Sequence, residues 1–583
     1  MERHWKMDAA GRSRRRALIV VIFLACPLSL AAQSAPSKSQ LNELAQQLLA
    51  QQRWQELVEI LQPIHPRSAD LNFYYGTALA QLGRWQEAHD AFESGARQQP
   101  QDKRFPSELA GVEFKQKRYP QAAVYLRRAL RIDPHDSYGN DFLGTVYFLE
   151  GNLEAALKYW NRVDKPRIAQ VNADPVPHLD PALLDRAFAF APASTLQLHE
   201  LWLSDSRVRG FGIFPIYSFD LLAREDGAFD ITLRNWERNG WGHNYKEGLF
   251  LLLRGLPFQT MNPEFYNLKH EAINFVSMFR WDAEKRRVTA QLSSPFRHNP
   301  EFNYQLFTDL RSENWNVQTS FQGPTTLLGS LNLRREAIGG NFTSFASARW
   351  RWSAGAEISH RDFRSVIPGS ALTPHLLAKG YQLKQATQVD VALWRAPEQR
   401  MNIDAGARSE AGRIWSQPSQ SFEKIQGSGR FHWLPQAEGD DYEMQYQLRA
   451  GKTFSDVPFD ELFVLGLERD NDLWMRAHIG TRDGRKGSAP LGRSYLLSNW
   501  EQDKTILHKT LLTLKCGPFL DVGKIIDDVS GLGSHKWLWD TGPQLKARLF
   551  GVQVVFSYGK DLRSGNNAFY LYVNMLKPGL PRF

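Results

Sequence analysis

Two short stretches decide the fold: Leu473-Trp474-Met475-Arg476-Ala477-His478, inside a long polar segment, and Phe519-Leu520-Asp521-Val522-Gly523, in a strand-like run. The segment 458–490 is too polar and too rich in glycine for a strand. A loop of that size within a compact domain usually serves function. Strand alternation puts Asp521 opposite in phase to Leu520 and Val522. An Arg on the loop and an Asp on the strand therefore imply a loop folded back onto the strands. A guanidinium away from water needs charge-assisted, preferably bidentate, bonds from carboxylates.

Alternation dominates from residue 271 to the end. Tyr381, Leu383, Thr387, Val389, Val391 and Leu393 share one face; Gln382, Lys384, Gln388 and Asp390 share the other. Tyr442, Met444, Tyr446 and Leu448 alternate with Glu443, Gln445, Gln447 and Arg449. The polar face carries long charged side chains, and strands often run past about ten residues, the pattern of a transmembrane barrel. About sixteen such strands are expected, the last from Ala568 to Met575. Pro578 and Pro581 lack the N–H that a ladder needs, so Phe583 ends a short tail.

The chain has 583 residues, which implies several domains. Aromatic content of 12%, with 18 Trp, suits interfacial girdles. The formal charge of +9 comes with no nucleic-acid reader motif. No stretch beyond the leader has the length and apolarity of a transmembrane helix, so spanning a membrane requires closed strands. The leader occupies residues 1–32: Arg12, Arg14, Arg15 and Arg16, then a short apolar run, then a small-residue cleavage site at Leu30-Ala31-Ala32. Cys26, after Phe23-Leu24-Ala25, offers a competing lipidation site, although Phe suits that pattern poorly. Only Cys26 and Cys516 exist, so cleavage leaves no intrachain disulfide.

Residues 33–164 carry a helical repeat. Gly76, Ala88, Phe92 and Pro100 mark one unit, Ala110, Ala122, Ala129 and Pro134 the next, and Gly144, Tyr147, Gly151, Ala156 and Trp160 a third. Small residues recur where paired helices approach closely. The pattern resembles the tetratricopeptide repeat, a solenoid with a concave face for a partner. Residues 165–238 change character. Helices at 181–190 and 196–208 precede a strand at 212–220, an Asp226-Gly227 turn, and an alternating strand ending at Glu237.

The segment 165–583 resembles the BamA/TamA superfamily of outer-membrane assembly and translocation barrels, the bacterial surface antigen family. Residues 165–238 are similar to its POTRA module, 239–270 form a connector and 271–583 the barrel. The loop at Met475-Arg476-Ala477-His478 keeps the family's Arg but replaces the following Gly and aromatic by Ala and His. Phe519, Asp521 and Gly523 retain the strand motif. The resemblance implies that Arg476 bonds Asp521, with Glu501 as second carboxylate; Asp521→Asn, which keeps a hydrogen-bond acceptor, is then expected to be milder than Arg476→Ala. The resemblance also implies insertion or translocation of client polypeptides by strand addition at a seam between the strands near 273–279 and 569–573.

No phosphate-binding loop, zinc-spaced Cys/His cluster or nucleophile elbow appears, so no catalytic residue, metal or cofactor is assigned and no enzyme is expected. The expected architecture is an α-solenoid, a small α+β module and a transmembrane β-barrel. Its partners are outer-membrane lipid, client polypeptides and a periplasmic protein docked on the repeats. The alternative is a passive porin-like channel or structural outer-membrane protein with a periplasmic scaffold.

Overall fold

The computed structural model describes residues 38–238, 245–253, 255–319, 326–367, 369, 372–435, 441–509, 512–527, 532–549 and 552–575. The leader with Cys26, and Pro578, Pro581 and Phe583, lie outside the described residues. Two compact units emerge, one up to Glu150 with Arg162–Lys165 and Ala223–Phe229, the other holding the remainder.

The first unit contains α1 (Lys38–Ala50), α2 (Trp54–Leu61), α3 (Ala69–Gln81), α4 (Trp85–Gln98), α5 (Arg104–Lys115), α6 (Tyr119–Ile132) and α7 (Ser137–Leu149). Two glycines of the repeats are steric. A Cβ on Gly76 would stand 2.7 Å from the Phe92 ring, and one on Gly95 would stand 2.2 Å from that of Phe105. Both rings are fully buried and lie in one continuous core with Leu57, Leu79 and Leu109. Ser68 and Asp136 accept from the N–H groups of Leu71 and Gly139 and so cap α3 and α7.

The second unit opens with α8 (Leu153–Trp160), which the sequence reading assigned to the repeats. Its contacts explain the difference. Asn152 donates to the Pro397 carbonyl at 2.8 Å, and Tyr159 donates to Glu398 at 3.0 Å. A small module follows: β1 (Ile168–Asp174), α9 (Pro181–Ala187), α10 (Leu198–Gly210), β2 (Ile216–Ala223) and β3 (Phe229–Trp236), in sheet order β1-β3-β2. Strand β1 escaped the sequence reading. β2 starts at Ile216 rather than Gly212, because Gly212 adopts φ +69° and turns the chain. Leu183, Val208, Phe211, Ile213 and Leu233 form the module's core.

After α11 (Tyr245–Leu253) comes a large antiparallel sheet. It begins with β4 (Thr260–Met261), β5 (Glu264–Leu268), β6 (Ile273–Trp281), β7 (Lys285–Phe296), β8 (Asn299–Gln318), β9 (Leu327–Ser344) and β10 (Trp350–Ile367). It continues through β11 (Gly380–Ala396), β12 (Met401–Trp415), β13 (Gln420–Trp433) and β14 (Tyr442–Ser455). The long loop then contributes β15 (Phe463–Val464), β16 (Thr481–Arg482), β17 (Arg485–Lys486) and β18 (Leu491–Gly492). Last come β19 (Ser494–Lys509), β20 (Leu512–Ile526), β21 (Ser534–Leu549), β22 (Val552–Asp561) and β23 (Asn567–Met575). The sheet holds about 18 strands rather than about sixteen. From residue 271 it has fourteen long strands, β6 to β14 and β19 to β23; β4 and β5 before that point and β16 and β17, two-residue segments of the loop, make up the rest, and β17 pairs in parallel with β8.

A second correction concerns the first strand. β6 is paired on both sides, with β7 and with β4 and β5, so the sheet begins within the expected connector. Pro263, between β4 and β5, has no N–H to donate, and Asn267, Lys269, His270 and Ala272 have positive φ, so this leading strand is broken.

The sheet is inverted relative to a water-soluble one. Ile338, Ile358, Tyr381, Leu393, Ile506 and Phe569 are exposed, while Arg361, Gln382, Glu410, Asp503 and Asp521 are buried.

The glycines of the repeats provide a test. Gly95→Ala should destabilise the helical unit by about 1–3 kcal/mol, because the buried Phe105 ring has nowhere to move. Gly111→Ala, in α5 with open space around it, should instead stabilise by about 0.4–1 kcal/mol. Thermal loss of the helical circular-dichroism signal in the full chain reads both signs.

Candidate functional site

Residues 458–490 fold over the polar face of the sheet, and the strand motif of β20 provides the floor. Phe519, Asp521, Gly523 and Ile525 all lie on the buried face, two residues apart. Each motif position does one thing. The Arg476 guanidinium sits 3.8 Å from the Phe519 ring centroid. Asp521 takes that guanidinium in a fork, at 2.9 Å from Nε and 2.6 Å from Nη2. Gly523 leaves room for Met475, whose Sδ would stand 2.9 Å from a Cβ there.

Asp521 is saturated. Its Oδ2 also accepts the Arg476 backbone N–H at 3.0 Å, and its Oδ1 accepts Asn499 Nδ2 at 2.7 Å. Four donors thus fill the acceptor positions of a carboxylate with 0% exposure. Glu501 joins the group through Arg476 Nη1 at 2.7 Å. The same Nη1 donates to Gln544 at 2.9 Å. Lys546 bridges Glu501 and Asp503. Burial works against the charge on Arg476, but the Asp521 and Glu501 carboxylates outweigh it and hold its pKa above the ordinary value.

The structure therefore brings Arg476, Asp521, Glu501 and Gly523 together. It also revises the expected mildness of Asp521→Asn. Each oxygen already receives two N–H donors, so an amide NH2 would face donors whichever way it turned.

Sequence reasoning missed the partners on β21 and β22. The Ala477 N–H donates to Asp540 Oδ2 at 2.7 Å, and His478 Nδ1 lies 2.8 Å from the same oxygen. The two departures from the loop motif thus find places in the structure. Ala477 has no positive φ, so glycine is not required there. His478, fully buried, meets a carboxylate. Gly559 of β22 lets the loop backbone pass: a Cβ there would stand 2.4 Å from the Arg476 carbonyl oxygen. A glycine inside an alternating strand and an Asp in phase with Leu538 were the available signals.

The flanks of the loop are anchored too. Asp460 meets Arg361 at 3.1 Å and Arg335 at 3.2 Å, and Glu461 meets Lys384 at 3.1 Å. Asp470 meets Lys285 at 2.7 Å, Arg280 at 2.9 Å and Arg287 at 3.2 Å. Burial favours the neutral form of Asp470, but Lys285, Arg287 and Arg280 outweigh it and hold its carboxyl well below the usual range. Lys486 pairs with Glu468 at 2.9 Å and lies over the Trp315 ring.

Arg207-Val208-Arg209-Gly210-Phe211, a string similar to the loop motif, belongs to α10 and the residue after it, where Arg207 pairs with Glu301.

A tetratricopeptide-repeat family model matches residues 42–103 and 75–137, and the N-terminal helices are such repeats. No curated protein sequence matches the chain. Among solved structures, BamA from Haemophilus ducreyi lacking POTRA domains 1-3 is similar over 70% of this chain and 84% of its own, at 10% identity and TM-score 0.41. CdiB from Escherichia coli is similar over 71% of this chain and 75% of its own, at 13% identity and TM-score 0.44. CdiB from Acinetobacter baumannii covers 70% and 74%, at 10% identity and TM-score 0.40.

The close passage over Gly559 yields a specific expectation. Gly559→Val should push the loop tip away from β22 and expose residues 473–478 to protease, because the obstructing atoms are backbone. Limited proteolysis of the folded protein in detergent checks this. Gly427→Ala, where nothing lies within 4 Å, should leave the cleavage rate unchanged.

Proposed function

We propose that the large sheet closes into an outer-membrane barrel that inserts or translocates client polypeptides, with POTRA-like residues 165–238 and the tetratricopeptide repeats in the periplasm. The anchoring pattern of the loop supports closure. One loop reaches β6 and β7 through Asp470, β9, β10 and β11 through Asp460 and Glu461, and β19, β20 and β21 through Arg476 and His478. A flat sheet would hold these strands too far apart for one loop, whereas a sheet curved around the loop brings them all within reach. A strand order running from β23 to β4 agrees with this.

The inverted sheet supports the membrane. Large apolar side chains cover the outer face, and contiguous apolar surface of that extent is costly in water. In lipid it is favourable, and closure leaves no unpaired strand edge. Two helices over a three-stranded sheet support the POTRA-like reading of residues 165–238.

The observation that carries the reading is the Arg476–Asp521 fork between the loop and the Phe519-to-Gly523 strand. It is the arrangement that the resemblance to the BamA/TamA superfamily implies. The fork fixes the loop tip on the last strands while the seam stays weak. On the leading side of that seam, β4 and β5 are short and separated by Pro263, so they offer few ladder bonds. A client strand can add at such an edge through main-chain hydrogen bonds. The repeats provide a docking surface for clients or a periplasmic partner. An open passive channel fits less well, since the loop and its ion pairs occupy the polar face.

Two measurements test this. Depleting the protein should remove a defined set of proteins from the outer membrane or the cell surface in quantitative proteomics. Steady single-channel conductance with an unchanged envelope proteome would establish the passive channel instead. On the site itself, Arg476→Ala and Asp521→Ala should each cost about 3–5 kcal/mol of barrel stability, because each strands a buried charge. The double variant should cost far less than their sum; additive losses would show that the two residues act independently.

A further inference from the structure

We propose that His478, Asp540 and Asp561 form a divalent-cation site of the zinc class that ties the loop tip to β21 and β22. One ligand atom from each residue lies within 4.8 Å of the others, and all three residues are buried. Ligands of a tetrahedral zinc stand about 3.3 Å apart, so small side-chain rotations would complete the contact.

The register explains why a cation is called for. Asp521 faces Asp540 across β20 and β21, and Asp540 faces Asp561 across β21 and β22. Three carboxylates thus stand in one row on adjacent strands, an arrangement in which like charges repel. Arg476 neutralises the first. Among the described residues, neither Asp540 nor Asp561 forms an ion pair with Lys or Arg. Asp540 accepts the Ala477 N–H. Asp561 accepts the N–H groups of Arg563 and Ser564 and the Ser564 hydroxyl. These donors are neutral. A second observation concerns one of the three ligands: Asp540 Oδ1 is buried and meets no hydrogen-bond donor among the described residues. A buried carboxylate oxygen without a partner is costly unless something positive occupies its lone pairs.

The donor set selects the ion. The imidazole nitrogen favours zinc over calcium or magnesium, and the two carboxylates are oxygen ligands that zinc also takes in a three-ligand site. The bonds from Ser564 and Arg563 to Asp561 would orient that ligand as an outer shell does in a metal site.

The test uses the full chain, purified without a histidine tag, stripped with EDTA and then dialysed against zinc chloride. Elemental analysis should find a single retained equivalent of zinc. His478→Phe and Asp561→Asn should each lose it. Asp561→Asn is the sharper variant, because it leaves the Arg476–Asp521 fork and the His478–Asp540 contact in place. Protection of residues 473–478 from protease should confirm that its loop stays docked. Zinc should also raise the unfolding temperature of the unaltered protein and leave that of Asp561→Asn unmoved, whereas magnesium should move neither. Failure of the stripped protein to retain zinc, or equal retention by Asp561→Asn, overturns the proposal and leaves a hydrogen-bonded cluster.

Discussion

A carboxylate that water cannot reach must be satisfied by the protein, and Asp521 is that carboxylate. It is fully buried, and its acceptor positions are filled by Arg476, which gives three N–H groups, and by Asn499. Three of the four donors belong to the loop, so β20 is complete only with the loop in place. The other local choices follow. Phe519 presents a ring face to the guanidinium, Gly523 and Gly559 keep side chains out of the loop's path, and Gln544 takes the remaining hydrogen-bonding capacity of Nη1. Removing either partner leaves the other charged and dry, which is far worse than never having placed the pair there.

The sign of charge reverses along the loop. Near its start and at its first bend the loop supplies the acids, Asp460, Glu461 and Asp470, and the strands supply Arg280, Lys285, Arg335, Arg361 and Lys384. At the tip the loop supplies the cation and the strands supply Asp521 and Glu501. A loop that slid or flipped would set acids against acids at the tip and leave basic strands unpaired elsewhere. Each pair gains little net stability once desolvation is counted. Together they exclude wrong placements, which is the contribution that complementary charge makes best.

How much of this was legible depended on the range of the cause. Alternation is local, so the strands from Tyr381 to Leu393 and from Tyr442 to Arg449 could be read directly, as could the close-packed repeat glycines Gly76 and others like it. The Arg476–Asp521 pairing was readable because two short motifs bracket it. Asp540 and Gly559 were not, because their roles come from the register of β20, β21 and β22, which sequence does not display. The acids of the loop, Asp460, Glu461 and Asp470, gave no signal for the same reason: their partners lie on strands 77 to 190 residues earlier in chain order. The broken first strand was hidden by its own cause, since Pro263 and the positive φ at Asn267 erase the alternation that would have announced it.

The loop tip shows how a departure from a motif can be coherent. An aromatic at position 478 would give Asp540 no side-chain bond, and the Ala477 N–H alone would face a buried carboxylate beside two others. Histidine gives that carboxylate a polar neighbour at 2.8 Å. Conversely, an apolar residue at 540 would strand the Ala477 N–H and bury an imidazole against hydrocarbon, which costs free energy at both ends. Position 477 is freed by a different cause. Glycine is needed only where φ is positive or a Cβ collides, and the space that the passing backbone needs is provided by Gly559 on the facing strand. Ala477 and His478 are therefore tied to an Asp on β21 and a Gly on β22, and the tip is best understood as a unit of residues 475–478, 521, 540 and 559.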